Sequence, residues 1–315
     1  MATVRPARSP LNLSNLMARF DSEIKCREYL EGLRWPDGAV CPKCAGKEIA
    51  RVQGREAVLR CVNCQTQFSV TAGTVFNDSH LPLAKWFIAT FILTQSKKGV
   101  SACQIQRMLG IGGYKTAWYL CHRIRSAMTA VRQGKLTGTV EMDETYVGGI
   151  QRGHQDKPGH GQSKKQIVVG IRERGGEMRF FHAEDAKSGT LARYIRENIS
   201  DEVDVIITDE YMGYPGAMKQ TGMADRHKTI KHKARVYVDG DIHTNTVENA
   251  FSLLKRGIIG TWHKVSAKHL ESYLNEMEFR FNRRHSETLF QDTLRHMINA
   301  PVLTFDKLTN KEEAA

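Results

Sequence analysis

Thr139-Val140-Glu141-Met142-Asp143-Glu144-Thr145-Tyr146-Val147 opens the part of the chain in which apolar and β-branched residues alternate with polar ones. That period of two predicts a strand with Val140 and Met142 on one face and Glu141 and Asp143 on the other. Two more extended segments follow, over 166–172 and 177–184, reached through glycine-containing connections. Beyond them come a helix over 189–198, an apolar strand over 203–208 and a further strand within the basic stretch 225–238. Two helices close the region, over 245–256 and 266–283. Three antiparallel strands followed by alternating helix and strand is the order of a ribonuclease-H-like α/β domain.

Three carboxylates stand where such a domain can use them. An acid within a strand is disfavoured, and Asp143 lies inside the first one. Asp209 terminates Val205-Ile206-Ile207-Thr208, and α/β sheets place ligands at the ends of such strands. Glu248 belongs to a helix whose Val247, Phe251, Leu254 and Ile258 form a core stripe, with Glu248, Ser252 and Lys255 on the adjacent stripe. Two strand aspartates and a helix glutamate can converge on a pair of Mg²⁺ ions, which prefer hard oxygen donors. Two such ions clamp the attacking and leaving oxygens of a phosphoryl displacement. Each acid also has a plainer use. Glu248 closes a capping box with Asn245, Asp209 is a loop acid, and Asp143 pairs with a lysine.

Upstream, Cys41-Pro42-Lys43-Cys44 and Cys61-Val62-Asn63-Cys64 form two CxxC knuckles separated by residues 45–60. Each points two thiolates at one ion, and together they complete a tetrahedral Zn²⁺ site with no open position, so one structural zinc is expected. The intervening length suits two short strands and a turn. Lys43, Lys47, Arg51, Arg55 and Arg60 make the module basic, fit either to touch DNA or simply to staple the fold. Seven cysteines, an odd number, point to a reducing compartment and metal binding rather than a disulfide framework. Cys26, Cys103 and Cys121 read as buried small hydrophobes on helices.

Residues 12–38 read as a short helix and a turn, and 81–132 as helical. Within the latter, 100–128 has the outline of a helix-turn-helix, broken at Gly110 to Gly113, with Lys115, Arg123 and Arg125 on its second helix. In that motif the second helix enters the major groove, although any two helices joined by glycine look alike. Forty-six Lys and Arg against thirty-four Asp and Glu give a net charge of +12, which attracts polyanions, nucleic acid above all. Lys115, Arg123, Lys228, Lys231, Lys233, Arg235, Arg280 and Arg283 are candidates for DNA contacts. The longest apolar run, Trp86 to Leu93, is far short of the ~20 residues a membrane helix needs, so no membrane partner is expected. Residues 1–20 carry Arg5, Arg8 and Arg19 without an acid, as a DNA-facing arm or a transit peptide would. His154 and His160, in the Gly/His/Lys-rich stretch 151–165, are either a metal pair or solvated loop histidines.

A set of longer stretches resembles one family. They are Arg34-Trp35-Pro36-Asp37-Gly38, the two CxxC pairs, and the stretch from Phe68 to Phe76. Further along come Met142-Asp143-Glu144-Thr145-Tyr146-Val147-Gly148-Gly149, Thr208-Asp209-Glu210, His243-Thr244-Asn245-Thr246-Val247-Glu248 and Arg280-Phe281-Asn282-Arg283. Together they resemble the bacterial insertion-sequence DDE transposases with an N-terminal zinc ribbon, the ISXO-like kind. The resemblance implies a ribonuclease-H-like catalytic domain that binds two catalytic Mg²⁺, or Mn²⁺, on Asp143, Asp209 and Glu248. Some members carry Asn at the third position; this chain has Glu. Lys255 matches a lysine that such enzymes use near the DNA end. The implied reaction is hydrolysis at the element's end, leaving a 3′-OH that attacks a target phosphodiester. Implied partners are double-stranded DNA, as terminal inverted repeats and as target, and a second copy of the chain in a homodimer or higher oligomer. A cytoplasmic, nucleoid-associated location goes with them.

The expected layout is an N-terminal arm and helix over 1–38, a zinc ribbon over 39–78, a helical, helix-turn-helix-like segment over 79–135, a catalytic domain over 136–290, and a C-terminal helix and tail over 291–315. Three rival readings stay open: a DNA-binding regulator with an inactive α/β domain, a structure-specific nuclease or resolvase that cuts without joining, and a domesticated transposase that has kept its triad but lost mobility.

Overall fold

The structure, a computed structural model, describes residues 11–129, 132, 134–148, 165–230 and 241–310. The chain divides into two compact units, one running to Thr129 and resuming at Arg283, the other made of the residues between. Among the described residues no helix is long and apolar enough to cross a membrane.

The first unit begins with two helices where one was expected, α1 (Leu13–Arg19) and α2 (Glu23–Arg34). The break falls at Asp21-Ser22, because Ser22 takes the N-cap and accepts the Lys25 amide at 3.4 Å. A ribbon of three short antiparallel strands follows: β1 (Ile49–Val52), β2 (Arg55–Cys61) and β3 (Gln67–Phe68). Next come α3 (Leu83–Gln95), α4 (Ala102–Leu109) and α5 (Tyr114–Ser126). Helix α3 is apolar nearly all round, which requires burial on several sides. Its Phe87 meets Phe20 at 4.8 Å and Phe290 at 5.9 Å between ring centroids, so the helix Leu289–Asn299 packs into this unit. Pro82 has no side chain to cap α3, and the Glu23 carboxylate accepts the Leu83 amide instead, 2.9 Å from both oxygens. The helix-turn-helix outline is present as α4 and α5, joined through Gly110 in the left-handed region at φ 56°. Cys26 and Cys121 are buried as expected, whereas Cys103 is exposed on α4.

The second unit has the expected ribonuclease-H-like order. Its strands are β4 (Thr139–Val147), β5 (Gln166–Glu173), β6 (Met178–Ala183), β7 (Val205–Thr208) and β8 (His227–Thr229). Among the described residues they form one sheet in the order β6-β5-β4-β7-β8, antiparallel through the first three and parallel beyond β4. Helices α6 (Ser188–Asn198) and α7 (Gly213–Thr221) cover one face, where Val140, Met142 and Ile206 pack with Leu191, Ile195 and Tyr214. Helices α8 (Asn245–Gly257) and α9 (Ala267–Asn282) cover the other, where Val168 and Phe180 pack with Phe251, Leu254 and Met277. The edge strand β6 is protected by α9, since Glu278 accepts the Phe180 amide and Asn282 bonds both backbone groups of Met178, all at 2.8 Å.

Candidate active site and cysteine cluster

The central strand β4 is longer than its parallel neighbour. Thr139 to Glu141 pair with Val205 to Ile207, and extending that register by two residues sets Asp209 beside Asp143. Beyond the end of β7 no described strand separates the two faces of β4 on that side. Ligand oxygens of Asp143, Glu144 and Asp209 accordingly lie within 4.8 Å of one another. Glu144 is the member that the sequence reading omitted, because alternation assigns it to the face opposite Asp143.

The local bonds hold this group in place. Asp143 Oδ1 accepts the Glu144 amide at 2.8 Å, and Asp209 Oδ1 accepts the Tyr211 amide at 2.9 Å. The fully buried Tyr214 donates its hydroxyl to Glu144 Oε2 at 2.6 Å. Crowding of like charges has an electrostatic consequence. Burial first, then the Glu144 and Asp209 carboxylates, push the Asp143 carboxyl up to about 7, with Glu248 adding to the effect. Burial also raises Glu144, against the opposing bond from Tyr214. The donors are all carboxylate oxygens, the hard ligands that Mg²⁺ or Mn²⁺ prefers, and their convergence fits a divalent cation.

Glu248 is not part of the 4.8 Å group. It sits in the first turn of α8, where the Thr244 hydroxyl donates to its Oε1 at 2.8 Å. Thr244, not Asn245, occupies the N-cap, so a capping box with Asn245 does not form. The helix N-terminus is held instead by Glu141, a fully buried acid on the same face of β4 as Asp143. Its Oε2 accepts the Thr246 amide at 2.9 Å, the Thr246 hydroxyl at 2.7 Å and the Val247 amide at 3.0 Å. Its Oε1 accepts Arg174 Nε at 2.7 Å. Arg174 also donates to the backbone oxygens of Asp241 and His243, at 2.7 and 2.9 Å. Lys255 is exposed in the last turn of α8.

The basic candidates separate by burial. Lys115 and Lys228 are exposed and Arg283 partly so. Arg123, expected on the DNA side of α5, is instead buried at 3% exposure. Its guanidinium lies 5.0 Å from the Trp86 ring and 5.1 Å from the Tyr119 ring, and it donates to the Asn77 carbonyl. Arg280 is likewise buried, paired with the buried Glu276 at 3.1 Å. Lys231, Lys233, Arg235, His154 and His160, together with Arg5 and Arg8, lie outside the described residues.

In the first unit the four cysteines meet. Cys41 and Cys64 Sγ are 3.5 Å apart, and Cys44 and Cys61 Sγ 3.6 Å. A tetrahedral ion with ~2.3 Å bonds to sulfur requires separations of ~3.8 Å, so this is metal spacing and not disulfide spacing. The knuckles repeat one design. Ala45 N donates to Cys41 O and Gln65 N to Cys61 O, each at 3.0 Å, with Ala45 and Gln65 both in the left-handed region at φ 56° and 60°. A Cβ on Gly46 would lie 3.3 Å from the sulfurs of Cys44 and Cys61, which explains the glycine there.

Residues 135–282 match the ISXO2-like transposase domain, and residues 21–67 match the transposase zinc-ribbon domain, together well over half of the chain. The chain belongs to the ISXO2-like transposase family. A relative of this transposase is an uncharacterized protein in the transposable element ISH50 of Halobacterium salinarum. It is 29% identical over 279 residues, covering 83% of this chain and 91% of that protein. Among solved structures, the crystal structure of the Mos1 strand transfer complex aligns with a TM-score of 0.28 and 9% identity, over 69% of this chain and 78% of that one. The four-cysteine cluster fits the structural zinc site of a transposase zinc ribbon.

Proposed function

We propose that the chain is a DNA transposase whose second unit hydrolyses a phosphodiester at the end of its element and joins the resulting 3′-OH to target DNA. The observation that carries this reading is the convergence of Asp143, Glu144 and Asp209 within 4.8 Å at the open end of the central strand. Asp143 and Asp209 would hold two Mg²⁺, or Mn²⁺, with Glu248 as the third carboxylate and Glu144 beside them. Bound there, the ions supply Lewis-acid activation of the attacking oxygen and neutralise charge on the reacting phosphate. Tyr214 orients Glu144, and Lys255 contacts a phosphate near the DNA end. Substrates are double-stranded DNA ends and target DNA, gripped by exposed lysines such as Lys115 and Lys228 and brought together by at least a dimer of the chain. Zinc in the ribbon serves the fold, because four cysteines leave no position for a reactant.

The test uses a labelled duplex carrying the inverted repeat that flanks the gene, together with a supercoiled target plasmid. The expected result is Mg²⁺-dependent cleavage leaving a 3′-OH, followed by joining to the plasmid. Asp143→Asn, Asp209→Asn and Glu248→Gln should each abolish both steps while duplex binding survives. Cleavage at near-normal rate by Asp143→Asn would end the proposal, and cleavage without joining would favour a nuclease.

A further inference from the structure

We propose that Glu141 is a positioning residue that sets where Glu248 stands relative to Asp143. The inference rests on reading Glu248 as the third metal carboxylate. Glu141 and Asp143 are two residues apart on one face of β4, so their Cα atoms are ~7 Å apart along the strand. Glu141 bonds Thr246 and Val247, the residues immediately before Glu248. The strand that carries one acid and the helix that carries another are therefore tied two residues from the first and one from the second.

Burying a carboxylate is costly unless it is neutralised and its lone pairs are used. Here both conditions hold. Arg174 supplies the opposite charge, and three donors at the start of α8 supply hydrogen bonds. An apolar side chain would pack the helix against the sheet without fixing its rotation or its advance along the strand. The carboxylate fixes both, because its donors are two consecutive backbone N–H groups and a hydroxyl at the helix start. Arg174 extends the same clasp to the incoming segment through the carbonyls of Asp241 and His243, and its Nη2 lies 3.0 Å from His243 Nδ1. Glu248, outside the tight acidic group and bonded to Thr244, then has a defined reach toward Asp143.

The experiment measures Mn²⁺ binding to the full chain without DNA, counting free ion by electron paramagnetic resonance. Glu141→Gln places an amide N–H₂ against donors and should weaken Mn²⁺ binding by about 10- to 100-fold, the usual effect of losing a partner behind a metal ligand. Thr246→Val keeps the ion pair and both backbone bonds and should weaken it by about 3-fold, one hydrogen bond's worth. It carries the test if Glu141→Gln does not fold. In the Glu248→Gln background, Glu141→Gln should add nothing further, because its effect passes through Glu248. General damage to the sheet would also weaken Asp143 and Asp209, and so would persist in that background. Wild-type Mn²⁺ binding by Glu141→Gln beside a weakened Glu248→Gln would overturn this proposal alone, and so would a full additive loss in the double variant. Wild-type binding by Glu248→Gln would remove the reading it rests on, and the proposal with it.

Discussion

Replacing Asp143 by Asn should stabilise the metal-free protein, and by an amount that depends on pH. In the folded chain the Asp143 carboxyl is raised from 3.8 to about 7, by burial first and then by Glu144 and Asp209. That difference corresponds to ~4 kcal/mol against the ionised form, reduced to ~2–4 kcal/mol by solvent reaching the partly exposed side chain. The folded state holds its proton more tightly than the unfolded state between those two values. Stability contributed by the protonated group is therefore fully present below pH 3.8 and is lost as pH rises through about 7. An amide in its place does not titrate, so the Asp143→Asn variant should match the wild type near pH 4 and exceed it by ~2–4 kcal/mol at pH 8. The assay is hydrogen exchange of β4 and β5 amides in EDTA with graded urea, which reports the opening of this unit alone. Millimolar Mg²⁺ should reverse the order at pH 8, since only the wild type gains an ion that neutralises the cluster. Equal stability of the two proteins at pH 8 in EDTA would refute the electrostatic account of the site.

Other consequences follow from the same contacts. Mg²⁺ binding measured by calorimetry should weaken as pH falls below about 7, because a proton must leave Asp143 before a cation can bind. Gly170→Ala places a Cβ 2.7 Å from Phe251 Cζ and 2.8 Å from Met178 Cε, directly across from Asp143 in the β4–β5 register. Overpacking of that kind costs ~1–3 kcal/mol, and the push on α8 should lower Mn²⁺ affinity as well; denaturation and ion titration check the two effects separately. Arg123→Ala should destabilise the first unit by ~1–3 kcal/mol while leaving the salt dependence of duplex binding unchanged, whereas Lys228→Ala should lower that slope by about one. Elemental analysis should find one zinc per chain, and Cys61→Ser or chelation should expose the ribbon to proteolysis while β4 to β8 stay protected.

Most of the second unit was legible because β4 opens with alternating apolar and polar residues and β7 is a short apolar run. The bounds of β4, residues 139–147, are the ones expected from the sequence. Helix α7 was not legible, since Gly213, Pro215 and Gly216 look like a turn. Pro215 lies in the first turn, where its missing N–H costs nothing. Gly213 is required by packing, because a Cβ there would meet the Ala186 carbonyl at 2.8 Å. With α7 went Tyr214, and with it the partner of Glu144. The arginines show a different limit. Composition gives Arg123 and Arg280 the same weight as Lys115, yet the first two are buried among aromatic rings or against Glu276. The Arg280-Phe281-Asn282-Arg283 stretch that marked the resemblance likewise includes Asn282, whose role here is to secure the edge strand β6.

Glu141 and Asp143 illustrate why a shared face is not a shared function. Alternation assigned both to one side of β4, and the structure agrees. What separates them is the neighbouring element that each meets. Glu141 lies where β7 still pairs with β4 and where the start of α8 and Arg174 supply four donors, so its charge is spent on holding a helix. Asp143 lies two residues further, past the last paired residue of β7, where burial first, and then the neighbouring Glu144 and Asp209 carboxylates, hold its proton on up to about pH 7. A strand that outruns its neighbour thus turns one carboxylate into a fastening and the next into a candidate cation ligand. Those donors sit 33 and more than 100 residues away in sequence, which is why the pattern of β4 itself carries no sign of them.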